Sequence, residues 1–311
     1  MPLTGSDIPT ILTPVLNATF MRAYRDYASQ DWQGIASVIP STQDSEPYAW
    51  LGALPTMQEF KDERNVKAMA EYAYSLKNKL YEGTVGVDRT AIEDDKFGQI
   101  KLRIQQMGFN ASKFQAKTIF AALAAGATSL CYDGQYFFDT DHVSGNSGTQ
   151  SNKGTAALSQ ASLDTAIATM AALKDDQGEP LGIIPDTLWV PPALWKTGLE
   201  LCDSPIAVVK VGDGTAGSGA TAATGISNVW AGKLTCKMSP YLTDTTDWFL
   251  VCSTWPIKPL IWQDRVPVEF AALEGNSDNG FMRDQYMYGT RMRGAAGYGL
   301  WQLAYAGIVS G

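Results

Sequence analysis

The stretch "IEDDKFGQIKLRIQQMGFNASKFQAKTIFAALAAGAT", residues 92–128, carries the clearest helical pattern in the chain. Apolar residues recur at helical spacing, first at Ile100, Ile104 and Met107, and then further along the same face. That continuation consists of Phe114, Thr118, Ala121 and Ala125, with Ile119, Phe120 and Leu123 beside them. Gly126 is a natural C-terminal stop. The pattern predicts a long helical region that forms the backbone of the fold.

Residues 1–40, before this helix, are predicted to form an N-terminal arm. The segment "NATFMRAYRDYASQD" could be helical, with Phe20, Tyr24 and Tyr27 on one side. The flanking sequence is rich in proline and threonine and would pack poorly alone. We therefore expect an arm that needs another surface to lie on.

The region between the arm and the long helix has the pattern of an extended β-hairpin. In "EYAYSLKNKLYEGTVGVDRT", residues 71–90, Tyr72, Tyr74 and Leu76 alternate, as in a strand. A second strand-like run, interrupted by glycine, contains Thr84, Val85 and Val87. The two runs are predicted to pair with each other and to project from the body, with open edges that invite a partner chain.

After the long helix, "CYDGQYFFDTDHVSG", residues 131–145, gathers reactive side chains, including the chain's single histidine, His142. The structural interpretation is a turn at Asp133-Gly134, a short strand with Phe137 and Phe138, and an Asx-type turn. A metal site is the alternative, either a mixed site in which Cys131 and carboxylates join His142, or one built from Asp139, Asp141 and His142. The ligand count disfavours it, because a zinc site needs further ligands and the spacing does not fit a calcium loop. A nucleophilic pair of Cys131 and His142 has no supporting signature.

The second half of the chain alternates β-type runs with loops. Ser159 or Ser162 could cap a helix through "LDTAIATMAALKDD", and residues 206–264 contain several strand candidates. They predict a second domain built on a sheet with flanking helices. The glycine-rich C-terminal part should return to pair with the first domain. Arg291 and Arg293 share one face of a predicted strand there, as a salt-bridged edge or a contact between subunits.

Composition and motifs exclude several functional classes. The chain has 311 residues and a net charge of −8, whereas a general nucleic-acid binder shows a basic domain or stripe. Its four cysteines form no CxxC pair, so we expect reduced, mostly buried thiols in a cytosolic protein. Neither a secretory leader nor a membrane-spanning helix is expected. Gly212, Gly214 and Gly217 match GxGxxG, but a flexible loop is the favoured interpretation. We predict no catalytic residue and no cofactor.

Five ordered motifs carry a family resemblance that runs from about residue 15 to residue 308. They are "STQDSEPYAWLGALPTMQEF", "YEGTVGVDRTAIEDDKFG", "CYDGQYFFDTDH", "WFLVCSTWPIKPLIWQDR" and "YGTRMRGAAGYGLWQLAYAG". In this order the sequence resembles the major head subunit family of Mu-like bacteriophages, which is similar to the wider tailed-phage major capsid proteins.

The resemblance implies the α+β Hong Kong 97-type capsid fold, which has an arm, an extended loop (E-loop), a peripheral P-domain with a long spine helix, and an axial A-domain. The implied divisions are the arm 1–40, the E-loop region 41–94, the P-domain with its spine helix 95–154, the A-domain 155–264 and the C-terminal P-domain strands 265–311.

The implied function is structural rather than enzymatic. Hexamers and pentamers of such a subunit form an icosahedral virion head around double-stranded DNA, assembled in the host bacterial cytoplasm without a membrane. Portal, scaffold and decoration proteins are the expected partners. An encapsulin-like compartment shell is the main alternative, and a metal-dependent hydrolase built on Asp139, Asp141 and His142 is a weaker one.

Two residue sets follow as candidates. The inter-subunit contact candidates are Tyr24, Tyr72, Tyr74, Lys77, Lys79, Tyr81, Arg89, Arg291 and Arg293. The domain-junction candidates are Asp133, Gly134, Phe137, Phe138 and His142. Some capsids of this fold crosslink a lysine to an asparagine. Lys77, Asn78 and Lys79 lie in the predicted hairpin, but we expect no crosslink.

Overall fold

The computed structural model describes residues 7–29, 31–48, 51, 74–88, 90, 97–211, 222–273 and 285–309. Its α-helices in these ranges are α1 (Asp7–Asp26), α2 (Phe97–Ala124), α3 (Gln160–Ala171) and α4 (Trp195–Cys202). The mixture of helices and sheets is the predicted α+β class.

The longest described helix is α2, which confirms the long helical region predicted from the apolar spacing. The α-helix ends at Ala124 and a 3-10 turn, Ala125–Ala127, follows it. Gly126 is buried at this end, and a Cβ there would lie 2.6 Å from the ring of Phe138. The absence of a side chain at Gly126 therefore allows the close approach of the chain that returns after the helix.

The arm helix α1 is longer than the predicted segment and lies along α2. Phe20 and Ala23 face this contact and are buried. At Gly108 of α2 a Cβ would lie 2.6 Å from the carbonyl oxygen of Phe20, so the two helices touch backbone to backbone there. The surface that the arm requires is thus supplied, in its described part, by the same chain.

Two larger sheets organise the strands. The strands of the first sheet are β1 (Ala36–Pro40), β4 (Lys79–Asp88), β13 (Leu260–Leu273) and β14 (Gln285–Tyr298). Those of the second are β7 (Lys153–Gly154), β8 (Thr187–Val190), β11 (Thr235–Met238), β12 (Trp248–Val251) and β15 (Ala304–Gly307). The first sheet has the order β1-β13-β14-β4, and the second has the order β11-β8-β12-β15-β7.

Three short antiparallel pairs complete the described strands. They are β2 (Ser45–Pro47) with β3 (Ser75–Lys77), β5 (His142–Val143) with β6 (Thr149–Gln150), and β9 (Ile206–Val211) with β10 (Ala222–Ser227).

The predicted hairpin was wrong in its pairing. Strand β3 pairs with β2, and β4 instead pairs with β14, more than 195 residues away in sequence: Asp88 is opposite Gln285, and Lys79 is opposite Gly294. A single residue, Asn78, separates β3 from β4, too few for the two-residue turn that a tight hairpin needs. The alternation in β4 marks the face that packs on α2, where the rings of Tyr81 and Phe114 are 4.5 Å apart.

Two further details differ from expectation. Strand β14 pairs with β4 of the first sheet, as the return of the C-terminal part predicts, but β15 joins the second sheet between β12 and β7. The helix after Ser159 ends at Ala171, earlier than its sequence pattern indicated, and Ser159 and Ser162 form its capping box together. All four cysteines are buried free thiols, as predicted.

Candidate functional site

Phe137 and Phe138 lie in the connection that follows α2, and both are fully buried. The ring of Phe137 stacks on Tyr298 of β14 at 4.7 Å, and the ring of Phe138 lies 5.6 Å from Phe249 of β12. The pair therefore contacts both larger sheets. No strand forms here, contrary to the prediction, because the amides of Phe137 and Phe138 donate to the carbonyls of Ser129 and Gly126 at the helix end.

The turn at Asp133-Gly134 starts the same connection. The Gly134 amide donates to the carbonyl of Cys131 at 3.2 Å, and Gly134 has a φ of +85°, which favours glycine. The Asp133 carboxylate accepts the amide of Gln135, so side chain and backbone close the turn together.

Asp133 also joins two buried side chains. His142 Nδ1 lies 2.6 Å from Asp133 Oδ2, and Cys131 Sγ donates to Asp133 Oδ1 at 2.9 Å. The imidazole of His142 stacks on Trp301 with 3.9 Å between ring centroids. Its Nε2 has no partner within the described residues.

The electrostatics of this Cys131–Asp133–His142 triad suit hydrogen bonding. Burial and the adjacent Asp133 carboxylate raise the pKa of the Cys131 thiol, so the thiol keeps its proton and donates it. Burial also acts to raise the pKa of Asp133. The hydrogen bonds from His142 and Cys131 outweigh burial and hold that pKa below its usual value.

The spacing within the triad is that of hydrogen-bonded groups rather than of two ligands on one zinc ion. The ligand-type atoms of the triad lie within 4.8 Å of one another. Two ligands at about 2.0–2.2 Å from one tetrahedral zinc are about 3.3 Å apart, whereas His142 Nδ1 and Asp133 Oδ2 are 2.6 Å apart. Asp139 and Asp141, of the alternative hydrolase set, do not join His142 in a ligand group within the described ranges.

Asp133→Asn is expected to lower the free energy of unfolding by about 1–3 kcal/mol near neutral pH, because the charge-assisted hydrogen bonds are lost. The folded-state pKa of Asp133 is depressed. Its stabilisation is therefore present above the unfolded-state pKa near 4 and disappears as pH falls through the folded value. Urea unfolding of both proteins should give a difference that is constant above about pH 5 and shrinks as the pH falls further.

The exposed Asp141→Asn serves as the control for this substitution and should leave stability nearly unchanged. An Asp133→Asn difference that stays constant across the acid range would contradict the assigned role of the carboxylate.

Asn152 is a residue that the sequence did not single out. It is fully buried, and its side-chain amide donates to the carbonyls of Phe137, Trp301 and Ala304, while its oxygen accepts the amide of Asp139. It thereby joins the connection after α2 to the C-terminal residues. It lies in a polar stretch that is typical of a loop, so neither its residue type nor its spacing indicated that it is buried.

Of the contact candidates, Tyr72 and Arg89 lie outside the described residues. Tyr24 and Tyr81 are half-buried against the core. Tyr74 is also turned inward, and its hydroxyl accepts the amide of Tyr298 at 2.8 Å. Burial raises the pKa of Tyr74 to about 12. These tyrosines contribute to packing within the chain as well as to its surface.

The charged candidates are more exposed. Arg293 lies 3.1 Å and Lys77 lies 3.8 Å from Asp44, and Arg291 lies 3.5 Å from Glu269. Both arginines are on β14, which is inside its sheet rather than at the edge. Lys79 is exposed at the start of β4, the edge strand of that sheet.

A groove of about 660 Å³ runs between α2 and the β4–β14 part of the sheet. Tyr81, Val85 and Phe114 supply apolar lining, while Arg103 and Glu82 supply charges. Within the described part of the chain, none of the helices is both long and apolar enough to cross a membrane.

Comparison with known proteins identifies the family to which this chain belongs. The family model described as Mu-like prophage major head subunit gpT matches residues 10–157, 152–242 and 231–308. The chain belongs to the Mu-like major head subunit family. Together the matches cover the whole range, from about residue 15 to residue 308, over which the five motifs resembled that family, so the resemblance is confirmed.

Two individual members of this family are similar to the chain over most of its length. The FluMu prophage major head subunit of Haemophilus influenzae is 28% identical, over 90% of this chain and 66% of that protein. The major capsid protein of Escherichia phage Mu is also 28% identical, over 95% of this chain and 74% of that protein. The chain thus spans about two thirds of the length of the FluMu relative.

A solved structure extends the comparison to the fold. The procapsid of bacteriophage JBD30 matches with a TM-score of 0.54 and 30% identity, over 95% of this chain and 74% of that chain. The Hong Kong 97-type capsid fold is therefore confirmed. These relatives, named as head and capsid subunits, do not favour the compartment-shell and hydrolase alternatives.

Proposed function

We propose that this protein is a structural subunit of a phage head, which assembles as hexamers and pentamers into a shell that encloses double-stranded DNA. The observation that carries the proposal is the family match, which extends from residue 10 to residue 308. Membership of a head-subunit family also supports a structural rather than an enzymatic role.

Features of the fold fit such a subunit. Strand β4 lies at an open sheet edge, and the groove beside it offers apolar surface. The short β2–β3 pair encloses residues 48–74 in sequence, and these residues lie within the E-loop region 41–94 that the proposal includes. Contacts of this kind around a capsomer are heterologous and close into a ring, and several modest contacts per subunit add avidity.

The proposal includes the wider partners of the shell. Portal, scaffold and decoration proteins would bind to the assembled shell rather than to a lone subunit. Assembly would take place in the cytoplasm of the host bacterium, and the product would be part of the virion. The domain divisions at residues 40, 94, 154 and 264 remain part of this proposal.

Sedimentation velocity of the purified chain tests self-assembly. We expect species far larger than the 33.6 kDa monomer, and nuclease-protected DNA in particles recovered from phage-producing cells. A monomer at every concentration would contradict the proposal. Particles that enclose a folded enzyme in place of DNA would indicate the compartment function.

We expect no covalent crosslink between subunits. Asn78 is 6% exposed, and its amide donates to Ser41 and to the carbonyl of Gln43, so it is held within the chain between the exposed Lys77 and Lys79. Boiled and reduced particles should migrate as one monomer band in a denaturing gel. A ladder of multimers that persists after reduction would overturn this expectation.

A further inference from the structure

The charge of the long helix differs from that of the whole chain. The protein carries a net charge of −8, yet α2 contains four cationic residues and neither aspartate nor glutamate across its 28 residues. The cations are Lys101, Arg103, Lys113 and Lys117, and all four are exposed. The overall acidity therefore hides a locally basic helix.

Most of these cations share one side with two amides. At about 100° per residue, Arg103, Gln106, Asn110, Lys113 and Lys117 fall within an arc of about 80°. We call these five residues the basic stripe. At about 1.5 Å per residue it is about 21 Å long, and each side chain in it is an exposed hydrogen-bond donor.

The cations of the basic stripe have no anionic partner within the described part of the chain. Other exposed cations do: Arg22 pairs with Asp26, and Lys196 pairs with Glu200. In the stripe, Lys113 Nζ lies 3.8 Å from the centroid of the Phe109 ring instead. That contact orders the side chain without neutralising its charge, so the positive charge stays available for an anionic ligand.

We infer that the basic stripe binds the phosphate backbone of duplex DNA without sequence preference. The inference rests on the proposed function, since it needs DNA inside the shell. Screening limits charge interactions to about 8–10 Å at moderate salt, so a stripe about 21 Å long acts through its local charge, and the acidic balance elsewhere does not cancel it. Phosphates require only positive donors at intervals along a line, which the stripe supplies.

An acidic protein segment is the other conceivable partner, because the stripe borders the groove beside β4. The groove is lined by Arg103, Gln106 and Asn110 but not by Lys113 or Lys117. Two of the three cations therefore lie outside the apolar surface that a bound protein segment would use, which favours DNA.

The test compares wild type with a triple variant, Arg103→Gln, Lys113→Gln and Lys117→Gln, which keeps good helix formers. The control triple variant is Lys174→Gln, Lys196→Gln and Lys233→Gln, which removes the same charge from exposed positions off α2. Binding of capsomers to a fluorescent duplex of about 20 base pairs is measured as anisotropy against salt concentration. Shell formation is followed by electron microscopy.

Each phosphate contact contributes about 0.9 to the steepness of log affinity against log salt concentration. The stripe variant lacks three cations, so the magnitude of its slope should be smaller by about 2.7. Its low-salt affinity should fall at least about tenfold, while the control variant binds like wild type and both still form shells. An unchanged slope in the stripe variant, or no DNA binding by wild type, would overturn the inference.

Electron microscopy of shell formation distinguishes DNA binding by the stripe from a role in a protein contact. Loss of shells in the stripe variant with unaltered DNA binding would assign the stripe to a protein contact and refute the DNA role. If wild type itself formed no shells, the proposed function would fail, whatever the DNA measurement showed.

Discussion

Phe138→Ala is expected to lower the free energy of unfolding by about 3–5 kcal/mol, the range for removing a large aromatic side chain from a core. The Phe138 ring is fully buried, packs on Phe137 at 4.8 Å and on Phe249 of β12, and fills the space that Gly126 leaves open. The cavity would open where the end of α2 meets the second sheet. Urea unfolding of the soluble subunit, followed by tryptophan fluorescence, measures the loss.

The matched control for Phe138→Ala is Tyr136→Ala. Tyr136 is two residues away and 43% exposed, so its removal creates a smaller cavity and should cost clearly less. Equal losses for the two variants would contradict the assignment of Phe138 to the packed connection. Capsomers of Phe138→Ala should also unfold at a lower temperature than wild type.

Asn152→Ala is expected to destabilise the subunit by at least about 3 kcal/mol, because it leaves several buried groups without partners, each at a cost of about 1–3 kcal/mol. These groups are the carbonyls of Phe137, Trp301 and Ala304 and the amide of Asp139. Thermal unfolding should show a lower midpoint, with the connection after α2 and the segment Trp301–Leu303 losing protection from hydrogen exchange first.

Two variants sharpen the Asn152 prediction. Asn152→Asp keeps the shape and the acceptor but removes the donors, so it should be at least as harmful as alanine, because it places a carboxylate against carbonyl oxygens. Asn146→Ala removes an exposed amide from the same stretch and should change stability little. Tolerance of Asn152→Asp would show that the three carbonyls do not depend on the Asn152 amide.

Local patterns in the sequence were enough to predict the long helix α2 and the turn at Asp133-Gly134. The apolar repeat of α2 is set by contacts three and four residues apart, and the Asp133-Gly134 turn by residues within one turn. Strand pairing could not be obtained in this way. Strand β4 has the alternation of a half-buried strand, which shows that one of its faces is covered but not that β14 is its neighbour.

The candidate site shows the same limit. The reactive residue types in residues 131–145 were noticed, but Asp139 and Asp141 were grouped with His142 by proximity in sequence. The fold does bring Cys131, the other candidate partner, into the cluster of the histidine, but through Asp133 rather than Asp139 or Asp141, and it covers the ring with Trp301, far along the chain. Asn152 was missed because nothing local distinguishes a buried asparagine from one in a solvated loop.

The composition also concealed a local feature. The net charge of −8 argued against a basic stripe. A sum over the whole chain, however, does not show where the individual charges lie. The helical geometry of α2 places Arg103, Lys113 and Lys117 on one side and gives the stripe its direction. Charge patterning along a single element was therefore more informative than the total charge.

Cryo-electron microscopy of the expressed chain tests the central claim most directly. We predict closed shells whose reconstruction resolves sixfold and fivefold capsomers, with α2 and the first sheet recognisable in every subunit. A preparation of folded wild-type protein that contains only uniform, non-assembling monomers would contradict it.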